Sequence, residues 1–295
     1  MNRRRGSNRA VPRILPILRL LRAGTLFSPA ADVVASAAML GALAQPELPR
    51  AAFASVCLYA AGMVWNDIAD RRLDATQRPE RPLPHGDVSL AFAVGLGMAL
   101  LLVGLLVSPC RVHHGLIATL VLAYDFAGKR VEWLGALGMG TLRGLNLATA
   151  MAFVATEQPE REHAALVAVL CYGAYIVAVT ILGIFEDRPA VRARAVAAVQ
   201  SAPPIVALCA ITMVQGGFWP APAIAAVPAL WFLRRNARTR IWDQPAIRRS
   251  MFFLLLGTML YTASLALAAG EPWAAAGIAA AILPARWIAR SIALT

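Results

Sequence analysis

A chain of 295 residues that is 59% hydrophobic and only 15% charged, with a mean hydropathy of +0.62, is too apolar for an ordinary soluble domain and reads as a polytopic membrane protein. The net charge of +12 invites a nucleic-acid reading, but the basic residues fall in alternate loops, so the charge follows membrane topology and nucleic acid is excluded as a partner. The apolar runs are continuous and lack period-two alternation, which favours helices over a β-barrel.

In chain order, a basic tail over 1–13 is expected to be disordered. A first spanning helix over 28–44 follows, read as uncleaved because many spans come after it. A second span over 51–67 runs into "NDIADRRLDATQRPERPLPHG", a stretch with four carboxylates and four arginines. Further spans are predicted at 89–108, 113–126, 134–155, 164–185, 197–216, 219–234 and 251–269. That makes nine helices in one domain covering 1–295. An extra apolar segment at 273–290 either crosses again or lies at the interface. Arg286 and Arg290 favour crossing, which leaves the C-terminus on the same side as the N-terminus. Taking the N-terminus as cytoplasmic gathers nearly all Lys and Arg on one side of the bilayer, with only Arg50, Arg111 and Arg161 in the opposite loops. Abundant Ala and a single lysine, Lys129, suggest a bacterial chain, hence a plasma (inner) membrane location. The four cysteines form no CxxC, and the four histidines show no ligand spacing.

The acid-rich stretch carries the chemistry. Asn66, Asp70 and Asp74 recur at i, i+4 and i+8, so a continuing helix puts them on one face, with Asp67 nearby. Carboxylates this close repel, and near a low-dielectric core they need a compensating charge. Either the neighbouring arginines supply it in a solvated network, or the oxygens hold Mg²⁺, a hard cation that carboxylates share with substrate phosphates. Forked guanidinium donors at Arg78 and Arg81 suit phosphate oxygens, and three prolines stiffen the loop that carries them.

The pattern "ND-x-x-D-x-x-x-D" followed by "RP-x-RPLP-x-G" resembles the first signature of the UbiA superfamily of intramembrane prenyltransferases. The resemblance extends from "RLLRAGTLFSPAADVVAS" to the ninth helix. It implies an all-α bundle of nine transmembrane helices around a central cavity. It also implies an integral-membrane prenyltransferase that moves an isoprenyl group from an isoprenyl diphosphate to a small acceptor, expected to be aromatic. Carried over residue by residue, Asn66, Asp67, Asp70 and Asp74 become ligands of Mg²⁺ and the diphosphate, and Arg78 and Arg81 partners of the diphosphate. "LAYDFAGKR" is similar to the family's Tyr-x-x-x-x-Lys segment, so Tyr124 and Lys129 are assigned beside Asp70 and Asp74 as catalytic residues. Asp125 is a further candidate for the metal site.

Two further features stand out, and the second departs from the family pattern. Arg143 and Asn146 lie within the fifth span, where an arginine needs a cavity or a partner: they bind an acidic acceptor or phosphate, or Arg143 pairs with an acid such as Asp32. The second acidic motif expected after the sixth helix is reduced to adjacent Glu186 and Asp187, which cannot mimic an i, i+4 pair, although one of them is expected to hold a second Mg²⁺. These features look most like the EboC-like branch. Two alternatives follow from the same fold: a terpene cyclase that ionises the diphosphate without an acceptor, and a non-enzymatic EboC-like protein handling an isoprenoid or metabolite for export. Chain length, acceptor identity and oligomeric state are not readable from these residues.

Overall fold

The computed structural model describes residues 14–187, 192–215 and 218–293; the expected tail at 1–13 lies outside them. Thirteen helices occupy the described residues, with no strand among them. They are α1 (Ile14–Leu20), α2 (Phe27–Met39), α3 (Leu48–Gln77), α4 (Pro82–His85), α5 (Leu90–Val107), α6 (Arg111–Phe126) and α7 (Glu132–Leu147). These are followed by α8 (Pro159–Asp187), α9 (Arg192–Val199), α10 (Ala202–Gln215), α11 (Ala221–Arg238), α12 (Gln244–Ala268) and α13 (Pro272–Ala293).

Every predicted span has a helix at its place, but not all have the usual length and hydropathy of a span. Among the described residues, α3, α5, α8, α12, α13 and the stretch Ala193–Val214 across α9 and α10 have them, and the bent pair α1–α2 makes a seventh, where nine spans and a possible tenth are expected. Helices α6 and α7 have 16 residues each. At 1.5 Å per residue that is about 24 Å, less than a hydrocarbon core of about 30 Å. Helix α11 ends in Arg234, Arg235 and Arg238, which dilute its apolar character. The C-terminal segment is a helix of 22 residues and passes the same test.

Three helix ends differ from the sequence expectation, each for a local reason. The first span stops at Met39 because Gly41 takes φ +65° and closes a Schellman turn: Ala42 N–H donates to Ala37 O at 2.8 Å and Gly41 N–H to Ala38 O at 3.0 Å. The fifth ends at Leu147, short of 155, because Ala150 N–H leaves the helical ladder and donates to Ser36 Oγ of α2 at 3.2 Å. The seventh is divided at Gln200–Ser201 into α9 and α10, where Pro203 and Pro204 supply no N–H to continue the ladder.

Close packing relies on small residues, as lipid-embedded helices require. Helices α7 and α8 approach so closely that a Cβ on Gly173 would stand 3.2 Å from the Gly140 carbonyl oxygen. The largest apolar cluster joins α2, α7, α8, α10, α12 and α13; smaller ones tie α3 to α5 and α6. Helix α3 thus runs between these clusters and delivers its C-terminal acids to the mouth of the bundle.

Candidate functional site

Helix α3 continues unbroken through Asn66, Asp67, Asp70 and Asp74 to Gln77, so the acid motif is helical throughout. Two groups form along it. Asp67 and Asp74, both buried, share Arg81: its guanidinium donates to Asp74 Oδ2 at 2.6 Å and to Asp67 Oδ1 at 3.4 Å. Arg22 donates to the same Asp67 oxygen at 3.3 Å. In the second group, Asp70 Oδ1 lies 2.8 Å from Lys129 Nζ, and Asn66 Nδ2 donates to Asp125 Oδ1 at 3.1 Å. The sequence spacing grouped Asp74 with Asn66 and Asp70. At about 100° per residue, a seven-residue step leaves Asp74 only about 20° from Asp67, and that geometry sorts the acids.

Loop chemistry fixes Arg81. The chain leaves α3 at Arg78, whose N–H bonds Asp74 O, and Arg81 precedes Pro82 at the first position of the short α4. That proline start turns the Arg81 side chain back over α3. The Arg78 side chain is exposed. Arg22 arrives from the break between α1 and α2, which meet at 51°. It is left-handed at φ 49°, an uncommon conformation for a non-glycine residue, and there it reaches Asp67. The break needs Gly24, whose Cβ would stand 2.7 Å from Ala289 Cβ and 2.8 Å from Ala285 O of α13.

Tyr124 packs its ring over Gly138 of α7 and lies close enough to Asp70 and Arg22 for their charges to act on its phenol. Two buried atoms in this group have no hydrogen-bond partner: Asp125 Oδ2 and Lys129 Nζ, the latter near Asp70 but not aligned as a hydrogen bond. A cavity of about 650 Å³ opens beside the first group, lined by Arg19, Arg22, Asp67 and Arg81 and walled by Ala289 and Ile292 of α13.

The remaining candidates lie elsewhere. Arg143 and Asn146 form a buried network on Asp32: Arg143 Nη2 is 3.0 Å from Asp32 Oδ2, and Asn146 Nδ2 donates to the same oxygen at 2.9 Å. Tyr172 Oη donates to Asp32 Oδ1 at 3.0 Å, Arg143 donates to Ser28 Oγ at 2.6 Å, and the Tyr59 ring lies 5.9 Å from the guanidinium carbon. Of the two readings of Arg143, this geometry realises the pairing with Asp32. Glu186 accepts from Arg248 Nε at 2.6 Å at the start of α12. The Asp187 side chain lies outside the described residues. Among the described residues, no three acidic, histidine or cysteine side chains converge as a metal cage.

Arg22 is the site candidate that motif spacing missed; the signal for it was a cation directly before Ala-Gly at the start of an apolar run.

The description "UbiA prenyltransferase family" matches residues 27–257, most of the chain. The chain belongs to this family. Among curated proteins it is similar to the digeranylgeranylglyceryl phosphate synthase of Methanoculleus marisnigri, at 31% identity over 35% of this chain and 39% of that one. It is also similar to the synthase of the same name from Ignicoccus hospitalis, at 35% identity over 41% of this chain and 42% of that one. The chain therefore spans about two-fifths of the length of these relatives. A solved structure concerned with digeranylgeranylglyceryl phosphate synthase in membranes superposes with a TM-score of 0.64 over 88% of this chain and 99% of that chain, at 17% identity. That likeness supports the all-helical UbiA-type fold. The matches are to the family as a whole and do not single out the EboC-like branch.

Proposed function

We propose that this UbiA-family protein is an integral-membrane prenyltransferase that moves an isoprenyl group from an isoprenyl diphosphate to a small acceptor. The observation that carries this is the cavity of about 650 Å³ at the end of α3, where Arg19, Arg22 and Arg81 gather against an acid-rich helix face. Basic forks next to carboxylates suit a diphosphate, the one part of the donor that cannot enter lipid.

The donor set fits Mg²⁺ in chemistry: Asp67, Asp70, Asp74 and Asp125 offer hard oxygens, Asn66 a carbonyl, and Asp125 Oδ2 is already buried without a partner. In the structure, Arg22, Arg81 and Lys129 neutralise these acids. Bound there, Mg²⁺ would supply further positive charge to the leaving diphosphate. The chain's own residues do the rest. Arg81 and Arg22 exchange carboxylate contacts for phosphate contacts. Lys129 and the Tyr124 hydroxyl act where negative charge grows on the departing oxygen. Apolar helices keep water from the allylic cation until the acceptor captures it and loses a proton.

The acceptor is proposed to be small and aromatic. A second reading, a phosphate-bearing lipid, is favoured by the three arginines in one cavity and by the glyceryl phosphate in the relatives' name. The EboC-like resemblance rests on "YD-x-x-x-K", "RGLNL" and the reduced second motif. We place the protein in a bacterial inner membrane with its N-terminus in the cytoplasm, on the strength of the loop charges.

The test is diphosphate release from labelled isoprenyl diphosphates of several lengths, by the purified protein with Mg²⁺ and a panel of phenolic and glyceryl-phosphate acceptors. A prenylated acceptor is the expected result. A hydrocarbon or alcohol formed from the diphosphate alone would identify a cyclase. Donor binding without release across the panel would favour the handling protein.

A further inference from the structure

We infer that the break in the seventh span holds a second binding site, for a neutral, membrane-soluble phenol, separate from the cluster at the end of α3. The starting observation is Gln200. Its side chain is 1% exposed, and both Nε2 and Oε1 lack a hydrogen-bond partner. A buried polar atom without a partner is costly, so an amide with both ends unmet calls for an occupant.

The surroundings are built to present that amide. Gln200 stands at the turn between α9 and α10, with Pro203 and Pro204 just beyond. Spanning helices tolerate such interruptions where they face protein or a cavity. Across the gap, α11 carries Pro228 inside the helix, which leaves the Ile224 carbonyl without its usual partner. Between them lies a cavity of about 100 Å³, lined by Gln200 and Ser201 with Tyr175, Phe232, Phe253 and Tyr261. Leu260 at its rim is 42% exposed on the outer face of the bundle, so the cavity borders lipid.

The lining selects the ligand. No charged side chain takes part, which excludes phosphates and carboxylates. Both tyrosine hydroxyls are committed as donors, Tyr175 Oη to Leu254 O at 2.7 Å and Tyr261 Oη to Pro203 O at 3.2 Å. Gln200 therefore offers the free donor and acceptor together. A hydroxyl answers both, accepting from Nε2–H and donating to Oε1, whereas a carbonyl answers only one. The walls are aromatic: Tyr175 and Tyr261 meet edge-on at 5.6 Å, and Phe232 stacks on Phe253 at 5.2 Å. Such walls suit a flat ring. At about 100 Å³ the space is smaller than an apolar cavity of about 150 Å³ that takes benzene, so a single ring fits by extending past Leu260 into the lipid. None of these residues belongs to the motif cluster, so the site stands independently of the transferase reading.

The experiment uses the full chain in lipid nanodiscs, with 4-fluorophenol as probe and 4-fluorotoluene as the control lacking the hydroxyl, both followed by ¹⁹F NMR. Saturable binding of 4-fluorophenol is expected. Gln200→Leu should weaken it about tenfold and remove the preference over 4-fluorotoluene. Ala229→Phe, which fills the cavity wall, should abolish binding of both probes, with isoprenyl diphosphate affinity unchanged in each variant. Binding no greater than to empty nanodiscs would mean that the cavity holds only water and would overturn the proposal. Wild-type affinity in Gln200→Leu would overturn it too. Should that variant fail to fold, undiminished binding in Ala229→Phe gives the same negative answer.

Discussion

Lys129 Nζ stands 2.8 Å from Asp70 Oδ1 and ties the turn after α6 to the acid face of α3. The pair joins the two stretches that carry the family resemblance, and it puts the one lysine of the chain on the motif acid one helical turn after Asn66. We predict that Lys129→Ala lowers isoprenyl diphosphate affinity at least about tenfold, since a charge-assisted phosphate contact is lost. Isothermal titration of the purified protein is the check. Undiminished affinity would make Lys129 a structural tie only.

Metal dependence should follow the acids. Donor binding is expected to require Mg²⁺ and to weaken severely in Asp70→Ala and Asp74→Ala, because each removes a hard oxygen from the α3 face. Titrations with and without EDTA decide this. Equal affinity in both variants and in EDTA would leave only an ion-pair network between the acids and Arg22, Arg81 and Lys129.

Arg143 and Asp32 predict a stability effect without a matching effect on donor affinity. Asp32→Ala strands a buried guanidinium and should cost about 3–5 kcal/mol, whereas the double variant Asp32→Leu with Arg143→Leu should recover much of that. Denaturation in detergent, run as a double-mutant cycle, measures the coupling. Additive losses would show that the two side chains act independently.

At the reduced second motif, Glu186→Gln or Asp187→Asn should lower turnover with little change in donor affinity, as expected if either carboxylate acts on charge that develops only as the diphosphate leaves. Arg248→Ala provides the contrast: it removes the 2.6 Å ion pair but leaves the Glu186 carboxylate in place, so turnover should survive. Full turnover in the double acid variant would mark the motif as a remnant.

The C-terminal helix gives a topological prediction. Helix α13 is 22 residues long and apolar enough to span; with the shorter α6, α7 and α11 also crossing, as the alternation of basic loops requires, the chain crosses ten times from a cytoplasmic N-terminus, and a fluorescent or phosphatase fusion at residue 295 should report the cytoplasm. Phosphatase activity outside would rule out the crossing.

Much of this was legible in the sequence because it depends on local pattern. The acid motif and the helix positions follow from spacing and apolar run length, and the Tyr124–Lys129 segment from the family resemblance. What stayed hidden depends on contacts between distant segments. Arg22 matters only because a bent first span carries it to Asp67, and Asp74 sides with Asp67 because the α-helical repeat does not divide evenly into steps of four. Helix ends stayed hidden for a similar reason: hydropathy locates α6 and α7, but their ends are set by turns and by the side chains of neighbouring helices. Gln200 falls inside the predicted span at 197–216, and only its burial without a partner between α8, α11 and α12 makes it unusual.

The contact of Gly24 with Ala285 and Ala289 bears on how the protein is made. The wall of the arginine-lined cavity comes from a helix that leaves the ribosome long after Asp67 and Arg81 have entered the membrane. Throughout synthesis the acid face of α3 waits beside an open flank, and it is enclosed only when the final hydrophobic segment docks. Premature termination within α13 should therefore yield an inserted protein that does not retain the proposed isoprenyl diphosphate donor.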